Sequence, residues 1–142
     1  MNLAELKKSG KLRAIPVDRH QIESLVSVAK RDLGVAGYLL KNNLDWSYIA
    51  SYNSMLQMSR ALMFSYGYTT SEGEHHKLAV EFVESVLGES ELTTLLDRMR
   101  RKRHEVTYDE AGAVSEYEAA HALETAKRYL EEVEKKIKKR LK

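Results

Sequence analysis

The chain has 142 residues and no cysteine. Disulfides, thiolate catalysis and Cys-ligated metal sites are therefore excluded. Proline occurs once, at Pro16, so no later helix is broken by a missing backbone N–H. No apolar run reaches the ~18 residues that a membrane-spanning helix needs. The opening residues, MNLAELKKSGKLRAIPVD, lack the apolar stretch of a signal peptide, so a cytoplasmic location is expected. Strand-type alternation between hairpin turns is absent. An excess of one charge is missing as well: 23 Lys and Arg stand against 21 Asp and Glu, a net charge of +2. The molecule as a whole is not a polycation, and any affinity for a polyanion has to come from local clustering.

What the sequence does contain is helical periodicity. Leu3 to Ser9 reads as a short helix ended by Gly10, and a connector follows between Gly10 and Pro16. Asp18 with Gln21 fits a reciprocal N-cap, and Ile22, Leu25, Val26, Ala29, Leu33, Ala36 and Leu40 repeat at spacings of mostly three and four. Gly34 leaves room for a neighbouring helix. Asn42, Asn43 and Asp45 mark a turn and cap. A long helix follows from Trp46 to about Tyr66, its stripe of Ile49, Tyr52, Leu56, Ser59, Leu62 and Met63 widened by Met55, Met58 and Phe64. Trp46 is expected to anchor against another helix. Gly67 to Gly73 reads as a loop, and Ser71 with Glu74 as the next capping box. Leu78, Ala79, Phe82, Val83 and Val86 carry a helix that stops at Gly88. Ser90 opens another, with Leu92, Leu95, Leu96 and Met99 inward. Ser115 and Glu118 cap the last helix, which repeats Ala119, Ala122, Ala126, Leu130, Val133 and Ile137.

These segments predict one all-α domain over residues 1–142, an antiparallel up-and-down bundle of four to five main helices with a short N-terminal one. The last helix ends in Lys135, Lys136, Lys138, Lys139, Arg140 and Lys142. Glu131–Lys135 and Glu132–Lys136 have the favourable i,i+4 order, and this end reads as a solvated extension.

Charge concentrates in RMRRKRHEVTYD, residues 98–109, where Arg98, Arg100, Arg101, Lys102 and Arg103 follow one another without an acid. A guanidinium fork grips phosphate through paired hydrogen bonds, and an adjacent imidazole such as His104 can move a proton. On a continuous helix Arg98, Arg101 and Glu105 share a face, and Arg100 pairs with His104 on the adjacent one. Arg103 and Tyr108 need a local bend or a helix end to reach a common ligand.

VAKRDLGVAGYLL, SYNSMLQMSRALMFSYGYTTSEGEHHKLAVEF and RRKRHEVTYD together resemble the HEPN domain, a helical domain of prokaryotic toxin–antitoxin and defence proteins. The resemblance runs from about Asp18 to Ile137. Active members are metal-independent ribonucleases whose signature is an arginine, often followed by asparagine, then, after four to six intervening residues in all, a histidine near the end of a helix. Matching that pattern places the arginine at Arg103, the polar residue at His104 and the histidine at Tyr108. A phenol with a pKa of about 10 is a poor base at neutral pH, although it can bind phosphate or stack on a base. The resemblance therefore implies an RNA- or nucleotide-binding homodimer with weak or absent ribonuclease activity, paired with a small nucleotidyltransferase as antitoxin-type partner. Tyr108 then becomes a candidate acceptor of a nucleotidyl group. Asn53 and Arg60 match positions that line the family cleft, and Glu105 and Asp109 are acids available to balance arginines meeting across a dimer axis.

Two alternatives stay open. In one, Arg98 and His104, with five residues between them, serve an active metal-independent endoribonuclease together with Arg103. In the other, the cluster serves a non-enzymatic helical interaction protein. No cofactor and no metal is expected. The adjacent His75 and His76 diverge by about 100° on a helix, which suits a structural role near the helix start better than one shared ion. His20, His104 and His121 complete no ligand set.

Overall fold

The structure is a computed structural model. It describes residues 2–71, 75–109 and 112–142, and the side chains of Tyr108 and Asp109 lie outside that description. In chain order the elements are α1 (Leu3–Lys8), β1 (Leu12–Ala14), α2 (Arg19–Leu39), α3 (Leu44–Ser65), β2 (Tyr68–Thr70), α4 (His75–Leu87), α5 (Glu91–His104) and α6 (Glu116–Arg140). A π turn over Glu105–Asp109 continues α5. The expected all-α bundle forms, with five main helices where four to five were expected, and a short N-terminal one. No helix among the described residues is long and apolar enough to cross a membrane.

The bundle is organised around α3, which packs against α2, α4, α5 and α6. Apolar side chains cover most of its circumference, as a helix buried on all sides requires. Tyr52, Met55, Met58, Ala61 and Leu62 are completely buried. Serines fill the remaining positions, and their hydroxyls donate to backbone carbonyls: Ser47 to Ala36 at 2.8 Å, Ser59 to Met55 at 2.7 Å, Ser65 to Leu62 at 2.6 Å. Small side chains there let α2 and α6 approach closely, and among these buried serines the Ser51 hydroxyl is left without a hydrogen-bond partner. From α6, Ala119, Ala122, Ala126, Leu130, Val133 and Ile137 all face this core, as their spacing predicts.

Helix starts follow local chemistry. Ser115 and Glu118 form the expected reciprocal box. Ser90 forms one with Thr93. Asp18 accepts from the Gln21 N–H at 3.3 Å, but the Gln21 side chain returns no bond. Asn43 caps α3. Asp45 has a different task from the capping expected of it: its carboxylate accepts from Gly112 N at 2.7 Å and Val114 N at 3.3 Å, pinning the approach to α6.

Several expectations are corrected. The connector before Pro16 and the segment after Gly67 are not loops throughout. Leu12–Ala14 and Tyr68–Thr70 pair antiparallel, Leu12 with Thr70 and Ala14 with Tyr68. Two three-residue strands are too short for an alternation signal, and backbone pairing across more than fifty residues holds them. Trp46 is 56% exposed and anchors nothing. A Cβ on Gly34 would meet no atom within 4 Å, so no helix packs there. The end of α6 is solvated on one face, with Lys135, Lys138, Lys139 and Lys142 exposed, but it does not project free of the bundle, because Ile137 is buried. The Arg140 guanidinium lies 3.5 Å from the Tyr66 ring centroid and donates to Ser65 O at 3.3 Å. The pairs Glu131–Lys135 and Glu132–Lys136 do not form; Glu134 instead lies 2.8 Å from Lys30 and 3.9 Å from Lys138. The Ser71–Glu74 box falls outside the described residues because of Glu74.

Candidate polyanion-binding site

The end of α5 distributes the basic cluster over diverging faces, because successive residues on a helix turn by about 100°. One face meets α3 and α6. There Lys102 donates to Ala113 O at 3.1 Å and lies 3.6 Å from Glu118 and 3.9 Å from Glu105. The backbone N–H of Ser115, aided by Lys102, holds the Glu118 carboxyl below the usual range. Arg98 is exposed and acts on Tyr48, whose hydroxyl burial pushes well above its ordinary pKa.

The other face of α5 borders two adjoining recesses, and Lys102, Glu105 and Arg98 line neither. The inner one, of about 410 Å³, is lined by Asn53, Gln57 and Arg60 of α3, Thr69 and Thr70 of β2, His75 and His76 of α4, and Arg103. The outer one, of about 500 Å³, is lined by Arg100, Arg101, Arg103, His104, Lys77 and the same two histidines. Arg103, His75 and His76 thus stand at the boundary of both. No carboxylate is among the described lining residues. In a chain with nearly as many acids as bases, such a surface favours an anion.

Two buried or half-buried acids organise the site from behind. Asp97 binds Arg100 Nε at 3.1 Å and an Arg101 nitrogen at 2.8 Å, neutralising part of their charge. Asp32, 7% exposed, accepts from the Asn53 amide at 2.9 Å and from Arg31 at 3.0 Å. Arg60 donates to Gln57 at 2.8 Å and lies over the Phe64 ring, 5.6 Å from its centroid. Arg103 makes no ion pair among the described residues.

The histidines are held from the inside. Thr70 Oγ1 is bonded to Nδ1 of His75, and the Tyr52 hydroxyl lies 2.9 Å from Nδ1 of His76. Burial pushes the Tyr52 pKa up to about 12, so the phenol keeps its proton. Burial also holds the His76 pKa below its ordinary value, with Arg103, Arg100, His75 and Arg60 adding to the effect. A buried phenol whose one partner is Nδ1 is satisfied by donating to it, which leaves the ring proton on Nε2.

The structure therefore gathers Arg103, Asn53 and Arg60 about the inner recess, and Arg100, Arg101 and His104 about the outer one. A π turn over Glu105–Asp109 follows α5, and none of its described residues lines either recess. His75, His76, Thr69 and Thr70 were not nominated from sequence as ligand-facing residues. The spacing of Asn53, Gln57 and Arg60 at i, i+4 and i+7 was an available signal for one shared helix face. Nothing in the sequence linked that face to His76. A larger recess of about 670 Å³ lies elsewhere, with Leu87, Leu92 and Val133 in its lining and Lys135, Lys136 and Lys139 beside them. It includes none of the residues nominated from the sequence as site residues.

No group of three or more His, Asp or Glu able to hold a metal ion occurs among the described residues. None of the curated proteins compared with the chain matches it. The family model for the HEPN domain matches residues 22–136, and the chain belongs to the HEPN domain family.

Proposed function

We propose that this chain is an RNA- or nucleotide-binding HEPN homodimer, the partner of a small nucleotidyltransferase in a toxin–antitoxin-type pair, with weak or absent ribonuclease activity. The observation that carries the binding part is the pair of adjoining recesses with four arginines, three histidines and no carboxylate among their described linings. Phosphate neutralisation by such groups supplies most sequence-independent affinity for nucleic acid. The homodimer and the transferase are carried by the family resemblance. Fluorescence anisotropy with single-stranded RNA across a salt series tests the binding. Replacing Arg100 and Arg103 by alanine is expected to weaken binding and lower the salt slope by roughly 0.7 for each phosphate that is no longer neutralised. Salt-independent or undetectable binding by the wild-type protein rejects the reading. Incubation with the transferase and ATP, followed by mass measurement, tests Tyr108 as nucleotidyl acceptor.

A second reading rests on His104, which lines the same recess as Arg100, Arg101 and Arg103. An imidazole among guanidinium groups can deprotonate a 2′-hydroxyl while the arginines stabilise the developing charge. This ribonuclease reading requires RNA cleavage in EDTA that His104→Ala abolishes.

A further inference from the structure

The two recesses differ in a way that bears on the ligand. The outer one is an arginine-rich rim on α5 and the start of α4. The inner one is walled by four elements: α3, α4, Arg103 of α5, and β2, which β1 holds in place by backbone pairing. The Gly67 carbonyl accepts from Ile15 N at 2.8 Å, and the Ser71 N–H donates to Lys11 O at 2.9 Å, so both ends of β2 are tied down. A recess bounded by side chains of four elements suits a chain end better than a continuing strand.

Charge points the same way. Arg60 and Arg103 both line the inner recess, and no described carboxylate does. An internal phosphodiester carries one negative charge, whereas a phosphate monoester carries between one and two at neutral pH. His76 adds a directed donor. Its Nδ1 is occupied by the fully buried Tyr52, so Nε2 is the ring nitrogen left for a ligand.

We propose that the inner recess is a subsite for a terminal phosphate monoester, held by Arg60 and Arg103 and by a hydrogen bond from Nε2 of His76, with Tyr52 as the positioning residue. This deepens the binding function proposed above and rests on it. The monoester belongs either to an RNA end or to a free mononucleotide.

The test uses the full chain and one single-stranded RNA sequence in three forms: 5′-phosphorylated, 3′-phosphorylated, and hydroxyl at both ends. AMP and adenosine are the mononucleotide pair. The expected result is that one phosphorylated form binds roughly tenfold tighter than the hydroxyl form, a difference of about 1.4 kcal/mol. His76→Gln and Arg60→Gln should each collapse that ratio toward one. Tyr52→Phe should shift the His76 ring nitrogen resonances and reduce the ratio while hydroxyl-ended RNA binds as before, a selective loss that a purely structural role in the core would not produce. Arg60→Gln alters only a partly exposed side chain outside the core, so the ratio remains readable if a core variant misfolds. A preference for AMP over adenosine without any preference among the RNAs assigns the subsite to a free nucleotide. Tight RNA binding that ignores the end group, with AMP no better than adenosine, overturns the subsite and leaves the polyanion reading standing. Absence of all binding overturns both.

Discussion

The hydroxyl of Tyr52, fully buried on the central helix, lies 2.9 Å from Nδ1 of His76, which borders both basic recesses. This bond ties the candidate site to the core of the bundle. It fixes the orientation of an imidazole whose pKa burial and neighbouring arginines hold below its ordinary value.

The depressed pKa of His76 sets a pH dependence. In the unfolded chain the ring takes its proton near ~6.5. In the fold it does so at lower pH, because burial and then Arg103 and Arg100 oppose the charge. The unfolded state therefore binds the proton first. Stability is complete above about pH 6.5 and falls as pH drops through that value toward the folded pKa. Urea denaturation of wild type and His76→Gln at about pH 7.5 and about pH 5.5 is the measurement. The variant should lose less stability between the two; an identical loss would remove His76 as the cause.

Asp97 neutralises Arg100 and Arg101 together. Asp97→Asn should raise the affinity for single-stranded RNA at low salt and steepen the dependence on salt by up to about one unit of slope, since one further cation reaches the phosphates. Anisotropy titrations at several salt concentrations read this directly. Weaker binding in the variant would mean that Asp97 matters for arginine orientation more than for charge.

Ser59 and Tyr129 form a buried pair between α3 and α6, with their hydroxyl oxygens 2.5 Å apart. Burial raises the Tyr129 pKa, and the phenol stays protonated at any physiological pH. Ser59→Ala leaves that hydroxyl buried without its partner, which costs about 1–3 kcal/mol. Thermal and chemical denaturation should show the loss, and a change below about 0.5 kcal/mol would indicate that a water replaces the serine.

Gly67 has a φ of +82°, and a Cβ placed there would lie 3.3 Å from Ile15 O. Gly67→Ala meets both a left-handed backbone and a crowded carbonyl. A destabilisation of about 1–2 kcal/mol is expected. Because β2 supplies a wall of the inner recess, the same variant should also weaken discrimination between phosphorylated and hydroxyl-ended RNA. A destabilised protein with full discrimination would separate the turn from the site.

Helix order, most helix boundaries and the inward faces of α4, α5 and α6 were readable from residue spacing, because an amphipathic helix writes its buried stripe into the chain at a period of 3.6 residues. The caps at Asp18, Ser90 and Ser115 were readable for the same local reason: a short side chain reaches a backbone N–H only a few residues away. Asp32 was not read as buried, since a carboxylate on a helix surface is ordinarily solvated; its partners Arg31 and Asn53 make the position tolerable. The β1–β2 pair and the roles of His75 and His76 were also hidden. Each depends on contact between segments far apart in the chain, and no local pattern encodes it.

The residues thus dictated a cysteine-free helical bundle and put a dense basic segment at the end of one helix, because periodicity and composition act over a few turns at most. Which of those basic groups share a recess was a matter of packing. The turn of α5 sends Lys102 toward Glu118 and Arg103 toward His76, and the bundle brings Asn53 and Arg60 of α3 to the same recess. Charge within a segment is a local property, whereas a binding site is a convergence of side chains that only the packed core can arrange.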